Sequence, residues 1–288
     1  MILSFHPCFS GDRYINRGGR DLNQSDIDAI RSASAVILPQ GCRQDLYEAA
    51  TRYCAHVFPN FDTRFKYPGK TGQIELFHKT GTAQPQSWIY RNTDEFQQQA
   101  AIERPAPTKN RPLVVKFDWR DEGRGVFLAE DQTTLATILT DAQKAEHTGQ
   151  SGFVIQEYIA AHWVLRVVVI YQDFIAYWRV GDAEKDFRIN LSRGAAIDRN
   201  AYPALQEKGI DAVKAFCRQT GINLAGFDLL FSSMDKAGIA LFLEINYYFG
   251  RTGIGGSAAY YELLTKAVNQ WLNDIGNKHQ SILQHGAE

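Results

Sequence analysis

The stretch GFDLLFSSMDKAGIALFLEINYYFG, residues 226–250, decides how this chain is read. Two apolar runs, from Phe227 to Phe231 and from Ile239 to Ile245, flank the turn-rich segment Met234-Asp235-Lys236-Ala237-Gly238, which predicts a β-hairpin. Symmetric pairing about Lys236 sets Asp228 opposite Glu244, and alternation of side chains puts Asn246 on the face of Glu244. Facing carboxylates repel, and an ionised carboxylate in apolar surroundings is costly unless paired. Nothing in the sequence is marked out to neutralise them, so the pair asks for a cation. Three hard oxygen ligands (Asp228, Glu244, Asn246) suit Mg²⁺, which fills its remaining positions with water and phosphate oxygens. The alternative is a register slip of one or two residues, which leaves the acids along a wet edge.

The rest of the chain sets limits on that reading. Its 288 residues, 44% hydrophobic and 12% aromatic with a net charge of -1, suffice for a packed core and for two or three small domains. The near-neutral balance offers no electrostatic case for nucleic acid or an acidic membrane. Cys8, Cys42, Cys54 and Cys217 are scattered without a C-x-x-C pair, and the opening MILSFHPCFSGDR is too short and lacks the basic region of a signal peptide. Reduced thiols and a cytoplasmic location are expected. No apolar run reaches the length of a membrane span, and the seven histidines show no metal-ligand spacing.

Strand and helix patterns alternate through the first segment (MILSF, a helix near 26–34, AVILP, the helix CRQDLYEAATRYC, HVFPN), which predicts a small parallel α/β domain over 1–69. A break at KYPGK, residues 66–70, precedes TGQIELFHKTG, a helix with a glycine stop at Gly81. A proline-rich linker then leads to LVVKFDW and VFLAE, a predicted hairpin with a glycine-bearing loop, and to a polar helix near 132–146. This second unit is expected over 70–155. In the third unit, over 156–288, GFVIQEYI, WVLRVVVIY and FIAYWRVG are expected as three strands of a larger sheet, followed by the opening hairpin and a terminal helix near 257–275. An apolar face on the N-terminal segment leaves a homo-oligomer open beside packing between domains.

Lys116 interrupts an apolar strand, and Gly123 and Gly125 follow it in a loop where backbone amides can approach an anion. The pattern reads as phosphate binding or, alternatively, as an edge-guarding lysine. Lys70, just before a helix, could reach the same anion. Gln156 and Glu157 end an apolar strand, either offering backbone groups to a planar base or simply closing the strand. Arg166 and Arg179 break apolar runs and need anionic partners if they point inward. Two lysines, a glycine loop, arginines and a three-oxygen site are together what phosphoryl transfer from a nucleotide requires.

In this order the motifs resemble the ATP-grasp superfamily, most closely the RimK-type carboxylate–amine ligases, over about residues 66–272. GKTGQIELFHKTGTAQPQS resembles the segment with the first nucleotide lysine, here Lys70, and VVKFDWRDEGRGVFLAED that with the second, here Lys116, and its phosphate-covering loop with Gly123 and Gly125. VIQEYI matches the adenine hinge, implying contacts from Gln156 and from Glu157, Tyr158 and Ile159 largely through backbone. DFRINLSRGA is similar to the family's D-F-R-x-N-L-x-R-G-G, implying that Arg188 and Asn190 touch phosphates and that Arg193 lies near the reacting carboxylate; Arg166 joins the nucleotide set. GFDLL and LEIN match the metal ligands Asp228, Glu244 and Asn246.

The resemblance implies an ATP-grasp fold behind an α/β domain. It also implies ATP with Mg²⁺, or Mn²⁺ in its place, and an acyl phosphate formed on a small carboxylate and passed to an amine or protein acceptor. Arg188 and Arg193 would be catalytic. Two departures stand out. The family's ribose-holding acid is replaced by Val164, and YYFGRTGIGG replaces a small-residue turn, so that Tyr247, Tyr248, Phe249 and Arg251 are expected to crowd the acceptor side unless the aromatics are core. A small-molecule kinase on the same fold and a nucleotide-binding module without turnover are the rival expectations.

Overall fold

Three sheets account for the strands in the computed structural model, which describes residues 1–99, 103–119, 125–182, 187–189, 191, 194–235 and 237–285, with side chains to 276. The first is parallel, in the order β2-β1-β3-β4: β1 (Ile2–Ser4), β2 (Arg13–Tyr14), β3 (Ala35–Ile37) and β4 (Val57–Phe58). Its helices are α1 (Gln24–Ser32) and α2 (Gln44–Tyr53). Asn23 opens α1 with a capping box to Asp26, and Leu3, Ile30, Val36, Leu46 and Phe61 fill the core between sheet and helices.

The short α3 (Asp62–Lys66) leads into α4 (Gly69–Thr80), which stops at Gly81 with φ 65°. An antiparallel sheet in the order β5-β8-β6-β7 follows, formed by β5 (Ser87–Tyr90), β6 (Leu113–Phe117), β7 (Val126–Ala129) and β8 (Phe153–Glu157). Period-2 alternation divides β6 cleanly. Leu113, Val115 and Phe117 pack with α6 (Gln132–Glu146), and Val114 and Lys116 are left on the opposite face. The expected junction at 155/156 falls inside β8, which is continuous through Glu157, and β8 pairs with β5 and β6 rather than joining β9 and β10 in the larger sheet expected for GFVIQEYI, because strand partners follow tertiary packing and not chain order.

The third sheet is antiparallel, ordered β11-β10-β9-β12-β13, from β9 (Trp163–Ile170), β10 (Asp173–Val180), β11 (Ala196–Asp198), β12 (Leu224–Phe231) and β13 (Ala240–Asn246). Helix α7 (Pro203–Thr220) packs on one face against Leu165, Val167, Val169 and Phe227. The other face is only half covered. Helix α8 (Gly256–His285) reaches Val168, Ile170 and Leu224, whereas Val164, Arg166, Asp228 and Leu230, on the same face, line a cavity instead. The uncovered half of this sheet looks across at the Lys116 face of the second one.

The sequence reading passed over α7 entirely, although Pro203 at its start, apolar positions at Leu205, Val213 and Phe216, and Gly221 as its left-handed stop all signal a helix. Strands β2, β5 and β11 and helices α3 and α5 (Thr93–Gln98) were likewise too short to stand out. Among the described residues no helix is long and apolar enough to cross a membrane.

Candidate active site

The hairpin pairs Asp228 with Glu244 and Gly226 with Asn246, as symmetric pairing requires. The symmetry then breaks. Leu229 faces Phe242, so Leu243 is an extra residue in β13 and forms a β-bulge. Its effect on the site is decisive. Phe242 packs on the α7 face, and in a regular strand Glu244 would follow it there; the bulge turns Glu244 and Asn246 onto the cavity side. The edge of β13 is held from α4, where the Gln73 amide donates to the Ile245 carbonyl at 3.0 Å and accepts from its N–H at 2.8 Å. Gln73 thus fixes the backbone between Glu244 and Asn246.

The expectation that Asp228 lacks a neutralising partner is corrected by β9 and β10. Arg166, paired directly with Asp228 across β9 and β12, donates Nε to Oδ1 at 2.5 Å and Nη2 to Oδ2 at 2.9 Å. Arg179 adds Nη2 at 2.5 Å from Oδ1, and Asn246 Nδ2 reaches Oδ2 at 3.2 Å. Arg166 is therefore tied to a carboxylate while still lining the cavity. Burial alone would raise the Asp228 pKa, but the two guanidiniums outweigh it and hold it below the usual carboxylate value.

Glu244 behaves differently. Among the described residues it accepts no hydrogen bond, and its pKa is raised, first by burial and then by the Asp228 charge, with Lys116 and Lys70 opposing. Lys116 lies across the cavity with its pKa pushed down to about 8, chiefly by burial, against the attraction of Glu244. Glu244 and Asn246, on one face of β13, offer oxygens of the kind a hard cation takes. The residues present fit a divalent ion, with Glu244 and Asn246 as the free oxygens and Asp228 already engaged.

The cavity measures about 620 Å³ and lies between the second and third sheets. Among the described residues it is lined by Lys70, Lys116, Arg166, Arg179 and Arg188 against Glu157, Asp228 and Glu244, five cations to three carboxylates and a formal surplus of two positive charges. At the other end Val164, Ile159, Ala161, Ile189, Leu230 and Leu243 make an apolar bed. Gln156 is buried, and its amide donates to Ser87 Oγ at 2.8 Å. The Glu157 N–H is spent on the Gln86 carbonyl at 2.8 Å and that of Tyr158 points to Pro112 at 3.3 Å, which leaves Ile159 to offer an amide. Gly125 lends its carbonyl to Phe117 N–H. Gly123, Asn190 and Arg193 lie outside the described residues.

Lys70 is positioned by Asp118, a residue the sequence reading passed over. The Asp118 carboxylate accepts from the amides of Lys70 at 2.7 Å and Thr71 at 2.9 Å and from Thr71 Oγ1 at 2.5 Å, capping α4 from the end of β6. Lys70 Nζ meets the Phe117 carbonyl at 3.0 Å. Gly69 at φ +70° and Gly152 at φ +93° make room, since a Cβ on either would come within 3 Å of the Asp118 carboxyl group. Asp118→Ala is expected to cost about 1–2 kcal/mol in urea unfolding, as loss of a helix cap does; an unchanged midpoint would contradict the clamp.

Of the aromatics expected to crowd the acceptor side, Tyr247 donates to or accepts from Thr63 Oγ1 at 2.9 Å and joins the N-terminal core, and Phe249 is buried against Tyr260. Both are packing residues. Tyr248 is 74% exposed.

Two facing antiparallel sheets with a cationic cleft between them, behind a parallel α/β layer, define an ATP-grasp fold. The RimK-like ATP-grasp domain matches residues 69–259, and the chain belongs to that family. A relative from Picosynechococcus sp., named "Probable alpha-L-glutamate ligase", is 31% identical over 247 residues, covering 78% of this chain and 76% of its own. The chain spans about half the length of other glutamate ligases it matches, 44% of one from Photobacterium profundum. Among solved structures, the RimK domain ATP-grasp protein of Sphaerobacter thermophilus superposes with TM-score 0.59 at 13% identity over 88% of each chain. The D-alanine--D-alanine ligase of Bacillus anthracis complexed with ATP gives 0.59 at 16%, covering 92% of this chain and 87% of that one.

Proposed function

We propose that the chain is an ATP-dependent carboxylate–amine ligase that works through an acyl phosphate. The observation that carries this reading is the pairing, across one cavity, of Lys116 on the second sheet with Glu244 and Asn246 on the third, inside a net surplus of two positive charges. A positive surplus among the described residues suits a polyanion such as a triphosphate carrying a divalent ion. The relatives' shared name and the ATP-bound neighbour support it. The three sheets are read as three domains, with the first junction at the start of α4 and the second just beyond β8.

In this reading ATP lies with its base on the apolar bed near Ile159 and its phosphates toward Lys70, Lys116 and Arg188, joined by Asn190 and by the loop bearing Gly123 and Gly125. Glu244 and Asn246 would hold Mg²⁺, or Mn²⁺, with Asp228 behind them kept ionised by its arginines. Bound there, the ion would supply charge neutralisation at the phosphate oxygens. A substrate carboxylate oxygen bonds to the γ-phosphorus as the bond to ADP breaks. The lone pair of an amine then forms a C–N bond to the acyl carbon, phosphate leaves with the C–O electron pair, and the nitrogen gives up a proton. Arg193 would face the oxyanion of that step. We place the reaction in the cytosol, where the four unpaired thiols would stay reduced.

Because Lys116 titrates at about 8 in the free protein, binding a triphosphate should draw a proton onto it. Affinity for ATP is expected to fall about tenfold between pH 7 and pH 9, with proton uptake near pH 8, as read by calorimetry in buffers of different ionisation enthalpy. Affinity independent of pH over that range would contradict a direct role for Lys116.

The ligase reading is tested by incubating the protein with ATP, Mg²⁺, hydroxylamine and a panel of carboxylic and amino acids. A hydroxamate formed with ADP supports an acyl phosphate. ADP and a phosphorylated product without hydroxamate would mean a kinase, and binding without ADP release a nucleotide-binding module; either outcome overturns the proposal.

A further inference from the structure

The cavity face of the third sheet is laid out in rows across its strands. One row is polar throughout: Tyr177 on β10 pairs with Arg166 on β9, Arg166 with Asp228 on β12, and Asp228 with Glu244 on β13. Two residues back along β9 the chemistry changes. Val164, across from Arg179, packs with Leu230 and Leu243, and all three line the same cavity as hydrocarbon. Ile159, from the chain leaving β8, packs against this cluster, which puts it on the hinge side of the polar row.

The facing sheet repeats the pattern. On β6 Lys116 lines the cavity, and Val114, two residues before it, lines it beside the end of β8, where it pairs with Gln156. From the hinge at 157–159 toward the cations, a guest therefore passes hydrocarbon from both sheets before it reaches Lys116 and the polar row. Two residues of strand span about 7 Å, the space of one sugar ring.

A nucleotide fits these levels in one order, with its base at the hinge, its phosphates on the cations and its sugar between them. A hydroxyl set against valine and leucine gains no hydrogen bond there, and removing it leaves no buried protein group unpaired. A site built to bond the hydroxyls does the opposite, rejecting an analogue that lacks them because its own polar groups go unanswered. Among the described residues, the polar side chains at the hydrocarbon level are engaged elsewhere, Arg179 with Asp228 and the Gln156 amide with Ser87 Oγ. Of the carboxylates that line the cavity, Asp228 and Glu244 belong to the polar row, and Glu157 stands across from Leu113, whose face of β6 packs on α6.

We infer that this site holds a nucleotide by its base and its phosphates and is indifferent to the hydroxyls of its sugar, so that ribo- and deoxyribonucleotides bind alike. The inference rests on the ligase reading, which places the nucleotide. Val164, on the central strand of the sheet, is the residue that sets the indifference, since a side chain able to bond a sugar hydroxyl would have to stand in its place.

The test is calorimetry on the whole chain with Mg²⁺, titrating ADP, 2′-deoxyADP and 3′-deoxyADP, none of which can be turned over. The three dissociation constants are expected to agree within about threefold. A larger preference for ADP over either deoxy form overturns the inference. Val164→Asp puts a carboxylate at the sugar level with Arg179 directly across to keep it charged, and it should create a preference for ADP over at least one deoxy form of roughly tenfold. A folded Val164→Asp that binds all three alike shows that the sugar lies elsewhere and also overturns the inference. Should that variant fail to fold, the wild-type comparison decides. ADP is read first: if it does not bind, the ligase reading falls and the inference with it, whereas ADP that binds with a preference for its own sugar counts against the inference alone.

Discussion

Asp228→Asn is expected to lower the free energy of unfolding by about 3–5 kcal/mol, because it removes the negative centre of a buried cluster and leaves two guanidiniums without a counter-ion. Arg166 and Arg179 are 6% and 8% exposed, so water cannot take over the role of the carboxylate. The midpoint of thermal unfolding should fall on the order of 10 °C. The effect has a pH signature. Since the Asp228 pKa is depressed on folding, its contribution is present above the ordinary aspartate value of 3.8 and is lost as pH falls through the lower folded value. Acid unfolding of the wild type should therefore reach its steepest part below pH 4 and be blunted in the variant. A loss under about 1 kcal/mol would show that the cluster is solvated and that the ion pairs described here carry little weight.

Glu244→Gln should do the reverse. Burial and the Asp228 charge disfavour its ionisation in the free protein, and the amide is nearly the same size, so stability at pH 8 should be unchanged or slightly higher. The sign follows from its raised pKa: the stabilisation from protonating Glu244 is complete below the ordinary value of 4.5 and is lost as pH rises through the folded value. Wild type and variant should therefore converge in stability at acid pH. Activity should respond in the opposite sense, with magnesium-dependent ADP formation falling roughly 100- to 1,000-fold, the range seen when one electrostatic contact to a transition state is removed. Full turnover in Glu244→Gln would exclude this residue as a metal ligand.

These two variants separate what one face of a hairpin makes look alike. The turn-rich segment from Met234 to Gly238 and the alternation on either side were enough to place Asp228 opposite Glu244. Three features beyond that pair were out of reach. The bulge at Leu243 depends on how β13 packs, with Phe242 on the α7 face and Gln73 gripping the Ile245 backbone. The neutralisation of Asp228 depends on strand order, because Arg166 and Arg179 reach it only when β9 lies between β10 and β12. A sequence shows both arginines as inward-facing cations in need of an anion without saying which anion. Asp118 was hidden for a similar reason, since the Lys70 amide it caps lies 48 residues earlier in the chain. The lysines and the apolar strand faces were legible because they follow local periodicity, and the site's finer arrangement was not because it follows tertiary contact.

The most direct test of the account is calorimetric titration of the wild-type chain with a non-hydrolysable ATP analogue, with and without Mg²⁺, beside Lys116→Gln. The account predicts binding in the micromolar range that strengthens with Mg²⁺ and weakens at least about tenfold in Lys116→Gln. No binding at millimolar analogue with Mg²⁺ present, or equal affinity in the two proteins, would contradict the claim that this cavity grasps a metal-bound triphosphate.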